Sequence, residues 1–137
     1  MKLPPAESTR DLGLLVLRVG IGASFMAHGW PKLAGGAAKW EDLGGAMAHL
    51  GLDFAPTMWG FLAACNEFFG GLMLALGLGF RLACLMLAST LAVATTMHLR
   101  EGDGFGRASH AIESLILFVS LFFVGAGKWA LDRKLAR

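Results

Sequence analysis

Charge is the scarcest property of this sequence. Of its 137 residues only 16% are Asp, Glu, Lys or Arg, against about 25% in an ordinary soluble domain. It has no tyrosine, four prolines and two cysteines. So little charge excludes a soluble globular domain, because a chain of this size leaves much of its surface in water. Two cysteines make no disulfide framework, and a net charge of +2 is too small to point to nucleic acid. What the sequence does have is apolar: 55% hydrophobic residues, 19 glycines and a mean hydropathy of +0.60. That content excludes disorder. With no collagen period, abundant glycine fits membrane helices. The reading is an integral membrane protein surrounded by membrane lipid.

Four stretches reach the roughly 20 residues that a bilayer requires. They run over about 12–29, 55–78, 82–99 and 108–127. No proline interrupts them, since Pro4, Pro5 and Pro31 fall outside and Pro56 falls in a first turn, where a missing N–H does little harm. The first stretch is too long for a signal-peptide core, carries Arg18 and lacks a small-x-small cleavage site, so it reads as a span. Ser8 and Asp11 read as its capping box. Gly79-Phe80-Arg81 makes a tight hairpin of the second and third spans, and glycine-rich Arg100–Arg107 reads as a flexible loop. In the long connection Trp40, Leu43, Met47 and Leu50 recur at helical spacing opposite Lys39, Glu41 and Asp42. This predicts a short interfacial helix over about 38–50. Gly20–Ser24 and Ala88–Ala92 are small-xxx-small pairs that favour close packing. The expected fold is all-α: one transmembrane domain over 1–137, a four-helix bundle with an interfacial helix between spans one and two.

An even number of spans puts both termini on one side. That side holds Lys2, Arg10, Arg81, Lys128, Arg133, Lys134 and Arg137, against Lys32, Lys39, Arg100 and Arg107 on the other. The positive-inside rule then places both termini in the cytoplasm.

Ionisable residues within spans are functional candidates. At about 1.5 Å per residue, Arg18 lies roughly 9 Å above the cytoplasmic face. Glu67 lies near the midplane, and His28, His98 and Glu113 all lie roughly 22–24 Å up. Three spans thus bring His28, His98 and Glu113 to one depth, with Asn66 and Glu67 beneath. An outward-opening pocket floored by an Arg18–Glu67 pair would satisfy these groups. The competing readings are plain: Arg18 snorkelling to the cytoplasmic face, a purely structural pair, solvated histidines at span ends, and Glu113 as a first-turn carboxylate favoured by the helix dipole. His110 reads as solvated, and His49 carries no signal.

Histidines and carboxylates beneath an aromatic and methionine-rich lining suit a quinone headgroup, whose reduction consumes two protons. Two His and one Glu would also serve as metal ligands, but their spacing is no metal motif, and no metal is assigned. Cys65 and Cys84 lie roughly 12 Å apart along the membrane normal, too far for a disulfide. No phosphate loop, Ser-His-Asp set, Rossmann fingerprint, flavin, haem or iron–sulfur motif is visible.

Leu17-Arg18-Val19-Gly20 is followed by His28-Gly29 and Lys32, then by Met47-x-x-Leu50-Gly51-Leu52 and Glu67-x-x-Gly70-Gly71. Gly77-Leu78-Gly79-Phe80-Arg81-Leu82-Ala83, Glu113 and the closing Gly125-Ala126-Gly127-Lys128-Trp129-Ala130-Leu131-Asp132 complete the order. In that order and spacing the sequence resembles the DoxX family of small bacterial membrane proteins over nearly its whole length. The resemblance implies a four-helix protein of the bacterial inner membrane associated with redox chemistry. The family is named for a subunit of a thiosulfate:quinone oxidoreductase, and some relatives are linked to complexes that handle thiols or oxidative stress. The residues matching its pattern are Arg18, His28, Lys32, Glu67, Arg81, Glu113 and Asp132. His98 comes from depth alone, and Ala130 stands where relatives often have Ser. The expectation is a quinone-interacting subunit of a membrane oxidoreductase or thiol/sulfur redox system. His28, Glu67 and Glu113 would be catalytic, and Arg18, His28, Glu67, His98 and Glu113 would contact the quinone. Arg81 would anchor the cytoplasmic hairpin. Electrons would come from a partner redox protein or a soluble thiol, and the chain would associate with that partner or with itself. The rivals are a non-enzymatic membrane scaffold and a metal-binding protein or small transporter, the last without the internal repeat such transporters show.

Overall fold

Each long apolar run folds into one helix, because a backbone in hydrocarbon must satisfy its own N–H and C=O groups. The computed structural model describes residues 5–136; Lys2, Pro4 and Arg137 of the charge and proline readings lie outside the described residues. The elements are α1 (Ala6–Ala34), α2 (Gly36–Gly44), a 3-10 turn (Gly45–Leu50), α3 (Pro56–Leu76), α4 (Phe80–Glu101), α5 (Gly104–Val124) and α6 (Leu131–Leu135). Four of them, α1, α3, α4 and α5, are long and apolar enough to cross a membrane. Only 22–33% of each one's most apolar stretch is buried inside the bundle. The remainder, including Val16, Leu85, Ile116 and Phe123, faces outward. An outer surface this apolar needs lipid around it.

Helices α1 and α4 run past both expected ends and α5 starts earlier than expected, whereas α3 and the end of α5 stop two or three residues short. α1 continues through Pro31, which costs the hydrogen bond that residue 31 would have given to the Ala27 carbonyl. It begins at Ala6 with no side-chain cap, so the Ser8–Asp11 capping box does not form. The flexible loop expected over Arg100–Arg107 shrinks to Gly102 and Asp103, because Gly102 takes the left-handed conformation (φ 69°) that ends α4 sharply. The helix expected over 38–50 is α helical only to Gly44 and then tightens into the 3-10 turn.

Helix α3 is central, with α1, α2 and α4 packed on it, and α5 lies on α4. Glycines set the closest approaches. A Cβ on Gly22 would stand 2.5 Å from the Gly71 carbonyl oxygen, and one on Gly71 would stand 2.7 Å from that of Gly22. A Cβ on Gly60 would stand 1.6 Å from the Trp40 carbonyl oxygen, so α2 lies hard against α3. The Gly20 of the predicted small-residue pair has nothing within 4 Å of its Cβ position and takes no part.

The inward stripes recur every three or four residues, as helical geometry demands. On α1 the buried positions include Arg18, Gly22, Phe25 and Gly29. On α3 they include Gly60, Ala64, Glu67, Gly71 and Leu74, and on α5 Ala108, Ala111, Ser114, Phe118 and Leu121. The core gathers Leu74, Phe80, Leu87, Phe118 and their neighbours.

Candidate functional site

Two polar regions lie at opposite ends of the bundle. At the terminal end, a clasp joins α1, the α3–α4 turn and the segment before α6. Arg18 is 3% exposed. Its guanidinium donates to the Ala75 carbonyl and, at 2.9 Å, to the Trp129 carbonyl. The Asp11 carboxylate accepts the Lys128 backbone N–H at 3.0 Å. Asp132 accepts the N–H groups of Gly79 and Phe80 at 2.7 and 2.9 Å and so caps the start of α4. Ala130 is buried against Gly77. Arg81 is exposed, with its guanidinium 5.8 Å from the centre of the Phe122 ring. The short hydrogen bonds here are to backbone, so the clasp closes the fold at this end; both Arg18 Nη atoms are committed to carbonyls, while its buried Nε has no partner.

This overturns the expected Arg18–Glu67 pair. Arg18 and Glu67 share the α1–α3 interface, but Glu67 is two turns of α3 from the Ala75 carbonyl that Arg18 binds. The partner of Glu67 is Lys32, whose Nζ lies 2.7 Å from both carboxylate oxygens. The Glu67 side chain is 11% exposed and that of Lys32 is 31% exposed. Lys32 stands fourteen residues after Arg18, which is a whole number of helical 3-4 repeats on the same stripe. Register thus carried a signal for Lys32 beside its place in the family pattern.

The Lys32–Glu67 pair lines a cavity of about 780 Å³ between α2, the 3-10 turn, α3 and α4. Its other walls include Leu43, Met47, Trp59, Asn66, Thr90 and Met97. The Asn66 amide donates to Thr90 Oγ1 at 3.2 Å, which holds its side chain in place. Trp59 lines the same space, and its Nε1 is buried without a partner. Trp40 sits behind the pair, donating from its indole to the Lys32 carbonyl at 3.0 Å. A volume of several hundred Å³, mostly apolar with a few convergent polar groups, has the form of a small-molecule site.

His98 also lines this cavity. Its Nδ1 lies 2.7 Å from Asp103 Oδ2, and His49 Nε2 lies 3.2 Å from Glu101 Oε1 at the same end. The His98 hydrogen bond holds the Asp103 carboxyl below the usual carboxylate range, with Arg107 a lesser cause. His28 and Glu113 are elsewhere. Both are exposed on the outer face of the bundle. His28 neighbours His110, their ring centres 6.2 Å apart. Depth arithmetic fixed the height of these residues but not their direction. His28 precedes the inward Gly29, and Glu113 precedes the inward Ser114, so each is turned about 100° off its stripe. Of the expected headgroup set, the structure thus gathers Glu67 and His98 and leaves out Arg18, His28 and Glu113. Cys65 and Cys84 are both free thiols.

Residues 13–99 match the family model described as DoxX. The chain belongs to the DoxX family. The matched stretch carries Lys32, Trp59, Asn66, Glu67 and His98, so the cavity's ion pair lies within the DoxX part of the chain. Asp103, Glu113 and Asp132 lie beyond it. The chain is also similar to a protein of Bacillus subtilis (strain 168) named "Putative oxidoreductase CatD", 27% identical over 122 residues that cover 89% of this chain and 86% of that one. No solved structure matches this chain.

Proposed function

We propose that this DoxX membrane protein is a quinone-interacting subunit of a membrane oxidoreductase or thiol/sulfur redox system, with the headgroup held in the cavity beside Lys32 and Glu67. The observation that carries the reading is an ion pair, 2.7 Å long, set in the wall of a largely apolar cavity inside the membrane domain. Such a pair is costly to bury and marks a functional position by default. The name of the Bacillus subtilis relative points the same way. The residues fit a quinone: Trp59 Nε1 is a buried donor in need of an acceptor, and Lys32 Nζ has a third N–H beyond the two it gives Glu67. When bound, a quinone supplies two-electron chemistry coupled to two protons. Lys32 and Trp59 would orient its carbonyl oxygens, the Glu67 carboxylate would hold and pass a proton, and the apolar walls would exclude bulk water. Electrons would come from a partner redox protein or a soluble thiol.

The membrane would be the bacterial inner membrane. Arg10, Arg81, Lys128, Arg133 and Lys134 at the terminal end, against Lys32, Lys39, Arg100 and Arg107 at the other, support a cytoplasmic terminal end. The cavity would then open outward. A non-enzymatic scaffold is the second reading, favoured by His28, His110 and Glu113 on the outer face. Polar groups there are expensive against lipid and would be covered by a partner or a second copy.

Organic extraction of the detergent-purified chain with mass spectrometry tests the proposal. We expect near-stoichiometric quinone that is lost in Glu67→Gln and Lys32→Met and kept in His28→Ala. A well-folded protein that carries no quinone and takes up none when it is added would reject the redox reading in favour of the scaffold.

A further inference from the structure

We propose that the end of the bundle opposite the termini carries a divalent transition-metal site formed by His49, His98, Glu101 and Asp103. The inference is independent of the quinone reading, since its ligands lie at the rim and the Lys32–Glu67 pair takes no part.

Three of the four groups come from one short segment. His98 stands in the last turn of α4, Glu101 ends it, and Asp103 follows the left-handed Gly102. The Asp103 backbone N–H donates to the His98 carbonyl at 3.1 Å, which folds the carboxylate back beneath the imidazole. One ligand atom from each of His98, Glu101 and Asp103 falls within 4.8 Å of the others. His49 is brought in from the 3-10 turn, its Nε2 3.2 Å from Glu101 Oε1. A tetrahedral zinc ion with bonds of about 2.1 Å places its ligand atoms about 3.4 Å apart. The ligand atoms of His98, Glu101 and Asp103 lie around that spacing, from the 2.7 Å His98–Asp103 contact to the 4.8 Å limit, and His49 stands 3.2 Å from Glu101, so closing all four on one ion takes rotation of the His49 side chain. Arg107 Nη1 lies 3.4 Å from Asp103 Oδ1, and Oδ2 faces His98 Nδ1 at 2.7 Å, a hydrogen bond that a metal ion between the two would replace as the imidazole gives up its proton. The side chains are 18–45% exposed, so an ion can enter from water.

Ligand chemistry sets the class of ion. Two imidazole nitrogens with two carboxylate oxygens suit zinc and its neighbours, whereas magnesium and calcium prefer oxygen alone. An ion here would tie the 3-10 turn to the α4–α5 turn across the mouth of the cavity. Binding to the folded state alone would also stabilise it.

The full chain, without a polyhistidine tag, would be stripped with chelator in detergent. It would then be dialysed to equilibrium against zinc chloride with and without excess magnesium chloride, and bound metal read by elemental analysis. We expect one zinc per chain, unaffected by magnesium, and affinity lowered about tenfold or more in His98→Ala, in Asp103→Asn and in His49→Gln. Glu101→Gln, at the most exposed of the four side chains, should show the same loss and keeps the test sound if the first two variants fold poorly. The melting temperature should rise with zinc in the wild type and not in the variants. Zinc no higher than in the buffer blank, equal zinc in the variants, or displacement by magnesium would each overturn the proposal.

Discussion

Replacing Glu67 with Gln removes the charge from the Lys32–Glu67 pair while nearly keeping its shape. At 2.7 Å and an effective dielectric constant of about 20, the attraction is about 6 kcal/mol. Desolvation of both groups offsets most of it. Losing one partner of a fully buried pair costs about 3–5 kcal/mol, and an exposed bridge is worth about 0.2–1 kcal/mol. With side chains 31% and 11% exposed, this pair falls nearer the buried case, so the expected loss is about 2–3 kcal/mol. Lys32→Met should cost a similar amount, and the double variant little more than either alone, because no charge is then left unpaired. The assay is a double-mutant cycle by detergent-denaturant unfolding of the purified chain, followed by circular dichroism. A coupling energy of about 0.5 kcal/mol or less would refute the reasoning, since that is the value of a solvated surface pair. A double variant that is stable but binds no quinone would show that the pair is kept for its ligand and not for the fold.

The terminal clasp makes its own prediction: Asp132→Ala leaves the Gly79 and Phe80 N–H groups without their acceptor and should lower unfolding free energy by about 1–2 kcal/mol in the same assay. At the α1–α3 crossing, Gly22→Val must push against the Gly71 carbonyl and should cost about 1–3 kcal/mol. Gly20→Ala, with open space at its Cβ, should be neutral or slightly stabilising; equal losses at the two glycines would refute the assigned crossing.

The helices were legible in sequence because hydrocarbon permits few alternatives to a run of apolar residues. Their ends were less so. Pro31 falls outside the expected first span, yet α1 passes through it, and the glycines of Arg100–Arg107 read as a flexible loop although two left-handed residues, Gly102 and Gly104, make a tight turn. The candidate site was half legible. Glu67 stands out in the sequence as an ionisable residue near the midplane, and the structure buries it against a partner. The partner was misjudged because height along the membrane normal was used without rotation about the helix axis. Rotation puts Lys32 on the stripe of Arg18 and turns His28 and Glu113 away. His49 gave no signal, since nothing in its neighbourhood in sequence says that a 3-10 turn will set it beside Glu101.

Composition and periodicity by themselves determined a four-span membrane protein and the presence of charge within the spans, while the family resemblance lay in the order of its motifs. The spans and their charges follow from hydration cost and the helical repeat, which act locally along the chain. Only the tertiary structure decided which charge meets which. Arg18 closes the terminal end on backbone carbonyls, and Lys32 meets Glu67 at a cavity. Ion pairing depends on distances between helices, and those are set by glycine contacts between residues dozens of positions apart, such as Gly22 and Gly71.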